Sequence, residues 1–307
     1  MTQAGQQPSE AKQMWIQDVA GGGVTALAYS ADGGTLYTQD ESRWYTAWSL
    51  ASHEGRQIFQ YPDKNGNHFP RMFVSGDGRY LVSNLTPPLV WDLTSETLHA
   101  EVPDGYAFAG ISTGVGRTRV ECVTNEWHSL RSWYFDTKEP GPELLDWTIP
   151  GTIKTHHYDT DGKRVALLSW SDVVTVCEVE TRKVLQSIDM SRRSLQHCRF
   201  APDGDTLVMY MADGICVWDI PSASVRVEKV ACDRPYWMLA FHPTKPQVAV
   251  RRKDGLIMLL SLRTGEELRA LDFDLGKQAT CAAFSPDGLT CAVGGSDKRF
   301  VVFDVDE

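Results

Sequence analysis

The sequence lacks any run of about 18 apolar residues, so no helix of ordinary composition is expected to span a membrane. It lacks a Cys-x-x-Cys pair. Its seven cysteines, Cys122, Cys177, Cys198, Cys216, Cys232, Cys281 and Cys291, are odd in number and sit mostly inside apolar runs. That pattern argues against a disulfide framework or a zinc site. It fits reduced core thiols, and a cytoplasmic location is expected. Basic residues are in the minority: 30 Lys and Arg stand against 40 Asp and Glu, for a net charge of −10. An acidic chain is a poor default binder of nucleic acid or anionic lipid, so neither is an expected partner. There is no HExxH, phosphate-binding glycine loop, dinucleotide motif or kinase signature. No catalytic residue, cofactor or metal is assigned, and an enzyme is not expected. Long helical periodicity is absent as well.

What is present is a repeat. "ALAYSADGGTLYTQ", "MFVSGDGRYLVS", "HHYDTDGKRVALLS", "CRFAPDGDTLVMY" and "AAFSPDGLTCAV" share one plan, with "GISTGVGRTRVECV" and "LAFHPTKPQVAV" as weaker copies. The glycine place of the turn falls at Gly33, Gly78, Gly116, Gly162, Gly204, Lys245 and Gly288, at intervals of 38 to 46 residues. A second landmark follows each, 13 to 17 residues on: Trp48-Ser49, Trp91-Asp92, Trp133-Tyr134, Cys177-Glu178, Trp218-Asp219, Leu260-Ser261 and Phe303-Asp304. Between landmarks lie short Val-, Leu-, Phe- and Tyr-rich segments broken by Asp-Gly and Pro-Asp-Gly turns. Aspartate and proline start such turns, and glycine supplies the positive φ.

These paired landmarks resemble the WD40-repeat family over residues 13–307. The resemblance implies an all-β fold, a seven-bladed WD40-like β-propeller of four-stranded blades. The copies are degenerate. Only Trp91-Asp92 and Trp218-Asp219 are literal Trp-Asp pairs, and no Gly-His dipeptide occurs. The family's buried His–Asp–Ser/Thr–Trp network is therefore not expected to be complete in any blade. Asp254 and Asp297, each six residues before a landmark, stand where the family often places its turn aspartate.

Family winding also implies that each repeat gives the outer strand of one blade and the three inner strands of the next. Outer strands are expected at Arg56–Tyr61, Thr97–Val102, Glu143–Ile149, Lys183–Ile188, Val225–Val230 and Glu266–Leu271. None follows Phe303-Asp304. Met14–Val19 has the composition of an outer strand and no other partner, so it is expected to pair with Arg299–Val305 and close the ring. The expected organisation is a disordered lead-in over 1–12 and a single domain over 13–307. Its repeats fall at about 24–61, 69–102, 107–149, 153–188, 195–230, 236–271 and 279–305, with 13–19 as the closing strand.

Candidate sites compete with plainer readings. Trp48, Trp91, Trp133 and Trp218 recur at the end of the third strand and are expected in the core between blades. His156 and His157 are adjacent on a strand, point to opposite faces and cannot share a metal. "DTDGK" (159–163) and "DKNGNH" (63–68) lack the ligand spacing of calcium loops and read as turns. "GGSDK" (294–298) lacks the closing glycine of a nucleophile elbow.

Placed on the implied propeller, one basic and aromatic group gathers on the face that the family calls the top. Arg192 and Arg193 precede blade 5, and Arg234, Tyr236 and Trp237 enter blade 6. Arg251, Arg252 and Lys253 occupy the second-to-third strand loop of blade 6, with Lys298 and Arg299 in that of blade 7. Arginine and aromatic residues are favoured interface anchors. The expected function is a non-catalytic scaffold or adaptor whose top face binds an acidic or mixed-charge protein or peptide. The alternative is a propeller enzyme or small-ligand binder using the mouth of the central channel.

Overall fold

The computed structural model describes residues 13–61, 72–83, 89–101, 106–112, 119–124, 130–134, 137–144, 152–191, 193–232, 239–272 and 279–305. These form seven four-stranded antiparallel sheets, each ordered a-b-c-d from the inside outward. In blade 1 the strands are Val24–Tyr29, Thr35–Asp40, Trp44–Ser49 and Gly55–Gln60. The middle strands are buried on both faces, as in Tyr80–Ser83 and Thr206–Met211, because neighbouring blades cover them. Their continuous apolar runs follow from that. Outer strands such as Val184–Asp189 are largely exposed, including Val184 and Leu185.

The first strand, Gln13–Asp18, pairs antiparallel with Arg299–Asp304 and becomes the outer strand of blade 7. The ring thus closes with a strand from each end of the described chain, as the sequence implied. A separate apolar core fills the gap between adjacent blades. Phe200, Met209 and Leu168 meet between blades 4 and 5, and Leu36, Trp48, Phe300 and Val302 meet between blades 7 and 1.

The a–b turns show why the repeat is legible. Ser30, Ser75 and Ser285 each accept a backbone N–H five residues on, from Thr35, Tyr80 and Thr290, and donate to Asp32, Asp77 and Asp287. Those hydrogen bonds hold the Asp32 and Asp287 carboxyls below the usual carboxylate range. The next residue must turn left-handed: Gly33, Gly78, Gly162, Gly204 and Gly288 all have φ between 67° and 76°. Glycine adopts that conformation without steric cost. "DTDGK" is one of these turns, with Asp159 Oδ1 accepting the N–H groups of Lys163 and Arg164 at 2.9 and 3.0 Å. "DKNGNH" lies outside the described residues.

One strand differs from expectation. The outer strand of blade 3 runs Glu139–Leu144, not Glu143–Ile149, and pairs with Leu130–Tyr134. It contains Pro140 and Pro142. An outer strand is bonded on one side only, so it tolerates residues without an N–H. The expected lead-in over 1–12 lies outside the described residues.

Candidate functional site: the top face

The loops joining d to a and b to c lie on one face. The structure describes four of the eight residues assigned to it; Arg192, Arg234, Tyr236 and Trp237 lie outside the described residues. The four described residues share the face but are committed differently. Arg193 forms an ion pair with Glu228 of the blade 5 outer strand and also donates to the Glu228 carbonyl at 3.0 Å. Arg252 donates to Asp254 at 2.9 Å and to Glu267 at 3.1 Å, and its guanidinium holds the Asp254 carboxyl below its ordinary range. Arg251 reaches across to blade 7, where its Nη1 donates to the Ala279 carbonyl at 2.7 Å. It is therefore a brace between blades. Lys253 is exposed at the loop tip. In blade 7, Arg299 pairs with Asp297 at 2.5 Å. The face carries paired charges, not a bare basic patch.

Its most exposed large aromatic residue among those described is one that motif reading passed over. Trp170 opens the b–c turn of blade 4 and is 61% exposed. The Lys154 ammonium sits over its ring, 5.1 Å from the centroid, and also donates to the Leu195 carbonyl in the loop entering blade 5. An indole held open to solvent beside a cation has the apolar area and the charge of an interface anchor. The topological rule that placed Arg252 on this face also places Trp170 there. Only its position outside the landmark series hid it.

The remaining tryptophans behave as expected where described. Trp48 and Trp91 are buried, and Trp218 packs against the core between blades 4 and 5; the side chain of Trp133 is outside the description. Trp48 Nε1 donates to Thr38 Oγ1 at 2.9 Å, whereas Trp218 Nε1 turns to Gln186 of blade 4 at 3.0 Å. Among the described residues, the family's polar network survives as one leg in blade 1.

The groups whose protonation is displaced by burial lie inside the blades. His156 is fully buried, neither ring nitrogen has a partner, and burial pushes its pKa down to about 3. His157 points the other way, its Nδ1 accepting the Phe200 N–H at 3.2 Å. The pair is split between two blade interfaces, as strand geometry requires. Cys177, Cys198, Cys216, Cys232, Cys281 and Cys291 are free and buried. Burial pushes Cys177, Cys198 and Cys281 up to about 12 and Cys216 up to about 11. Thiols so disposed are inert. Among the described residues no group of three or more His, Cys, Asp or Glu could hold a metal.

Residues 272–304, the last blade's repeat, match the family model "WD domain, G-beta repeat". Over its whole length the chain also superposes on a chain from the crystal structure of the Mitotic Checkpoint Complex. The TM-score is 0.75 at 14% identity, covering 100% of this chain and 97% of that one. The chain has the β-propeller fold, and its last repeat matches the WD40 model. A comparison with curated proteins gives no match. Proteins of WD40 fold generally act as interaction scaffolds, and the family is typically non-catalytic. Against the family pattern, this propeller keeps the turn chemistry of the repeat and drops most of its His–Asp–Ser/Thr–Trp bonding.

Proposed function

We propose that this propeller is a non-catalytic, cytoplasmic scaffold or adaptor whose top face over blades 4 to 7 binds a protein or peptide segment of mixed charge. The observation that carries this reading is Trp170, exposed on a rigid b–c turn with Lys154 against its ring. Lys253 adds an exposed cation on the same side of the ring. The arginines already paired with Glu228, Asp254 and Glu267 present both signs of charge to a partner, which favours a mixed segment over a purely acidic one. The solved chain of like fold belongs to a complex, which agrees with a role in assembly. The displaced protonation states are explained by burial for His156 and the cysteines and by turn hydrogen bonds or ion pairs for Asp32, Asp254 and Asp287, and they do not converge on one cleft, which favours binding over catalysis.

Affinity capture from native extract tests this reading. Trp170→Ala with Lys253→Glu should lose the main partner while melting like the wild type. Arg182→Glu with Lys183→Glu, in the c–d turn of blade 4 on the opposite face, should keep it. The reverse pattern would assign the binding surface to the other side.

A further inference from the structure

Among the described a–b turns, that of blade 6 is the one without the Asp-Gly pair. It reads His242-Pro243-Thr244-Lys245-Pro246, and Lys245 replaces the glycine. His242 takes the serine's place: its Nδ1 accepts the N–H groups of Thr244 and Lys245 at 3.2 and 2.9 Å. A Cβ on Gly288 of blade 7 would stand 2.4 Å from the His242 ring, so the neighbouring turn leaves this ring its room. The Leu262 N–H donates to the Pro246 carbonyl at 2.8 Å. The altered turn is thus rigidly fixed, although the repeat required none of these substitutions.

It forms one wall of a groove of about 680 Å³ on the bottom face between blades 5 and 6. Ala201 and Leu262 lie at its base, and the rings of Pro202, Pro221, Pro243 and Pro246 line its sides. Proline offers no N–H, so these walls cannot add a strand to a visiting backbone. They offer flat, preformed apolar surface to a side chain, and the volume falls in the usual range of ligand sites, roughly 300–1,000 Å³.

Charge around the groove is unequal. On the blade 5 side the carboxylates are occupied. Asp203 accepts the Asp205 and Thr206 N–H groups at 3.0 and 2.9 Å, Asp205 pairs with Arg164, and Asp219 pairs with Arg226 and accepts the Ser222 N–H. On the blade 6 side Arg263 is exposed, and its guanidinium has no partner among the described residues. Lys245 lines the same wall. The groove therefore combines an apolar slot with a cation at its lip.

We infer that this groove is a second docking site, for a linear segment of a partner protein that inserts an aromatic side chain between the prolines and sets an adjacent carboxylate on Arg263. Forked arginine–carboxylate geometry suits such a contact, and the preformed walls reduce the ordering cost of binding. This site is on the face opposite Trp170 and does not rest on the top-face reading.

The test uses full-length protein with labelled Ala and Leu methyl groups, and three capped tripeptides titrated to about 5 mM. Glutamate–phenylalanine–glutamate should shift the Ala201 and Leu262 methyl resonances saturably. The lysine–phenylalanine–lysine and glutamate–alanine–glutamate peptides should not. Arg263→Glu, at an exposed position, should weaken the first peptide at least about tenfold, Arg263→Lys should weaken it less, and Arg182→Glu should leave it unchanged. Absence of shifts with the first peptide, equal shifts with either control, or undiminished binding to Arg263→Glu would overturn the inference.

Discussion

Two junctions in the ring solve the same packing problem differently. Blades 4 and 5 follow one another in the chain, and a polar brace locks them. Arg164 of blade 4 donates to Asp159 at 2.8 Å, to Asp205 at 3.2 Å and to the Gly204 carbonyl at 2.7 Å, with its guanidinium over the Phe200 ring. The seam between blades 7 and 1 joins opposite ends of the chain and is aromatic. Trp15 meets Phe300 edge-on at 4.8 Å and Trp48 at 6.0 Å, and His53 stacks on it at 4.7 Å. A connected junction needs only its register fixed. The seam must also offset the loss of chain entropy on closure, which grows as the logarithm of the loop length. Directional hydrogen bonds contribute little net stability each, whereas a buried indole contributes much. The difference teaches where this fold is vulnerable: at the seam through apolar area, and at the internal junction through single polar atoms.

The sharpest way to break the comparison is to remove the seam's strand. Deleting residues 1–20 should cost about 4 kcal/mol or more of the roughly 5–15 kcal/mol typical of a domain, seen as a cooperative drop in Tm. Trp15→Ala should come next, at about 3–5 kcal/mol in denaturant melts, as expected for truncating a large buried aromatic. Arg164→Met should cost less, about 2 kcal/mol, chiefly by leaving the buried Asp159 without its charged donor.

Acid should act at a third junction, between blades 3 and 4. His156 has a native pKa of about 3 and faces the blade 3 side of blade 4. Below its unfolded value of about 6.5 the unfolded chain takes up a proton that the native one refuses, so stability falls as pH drops from there toward 3. The slope attributable to this group approaches about 1.4 kcal/mol per pH unit, and His156→Phe should remove it in melts at pH 6 and pH 5 compared. The ring contacts of Phe300 with Trp15 and Trp48 carry no charge and should not respond. The smallest effect belongs to deletion of residues 1–10, which should stay within about 0.5 kcal/mol of wild type.

The fold was legible because its turns are chemically expensive to vary. Gly33, Gly78, Gly162, Gly204 and Gly288 need a positive φ, and an aspartate in each turn, joined by a serine in blades 1, 2 and 7, accepts the backbone N–H groups that follow. Closure was legible by elimination, since Met14–Val19 had no other partner. The blade 3 outer strand was placed four residues late, at Glu143–Ile149; an edge bonded on one side admits Pro140 and Pro142 into it. On the top face the local pairs were legible, since Asp254 and Asp297 stand two residues from Arg252 and Arg299; the pairs made across strands were not. Arg193 meets Glu228 and Arg252 meets Glu267, partners supplied by strand register and not by any local motif. Trp170 carries no motif signal, since it lies in the b–c turn seven residues before the Cys177-Glu178 landmark. The bottom groove was signalled only as a departure, Lys245 where the repeat expects glycine.

Amide hydrogen exchange on the intact protein tests the closed ring most directly. Strand Arg299–Asp304 is paired on both sides, with Thr290–Gly295 and with Gln13–Asp18. Its amides facing the N-terminal strand should exchange as slowly as those facing Thr290–Gly295, through opening of the whole ring. Exchange at the rate of a free sheet edge, while the other side stays protected, would contradict the closure on which the rigid platform depends.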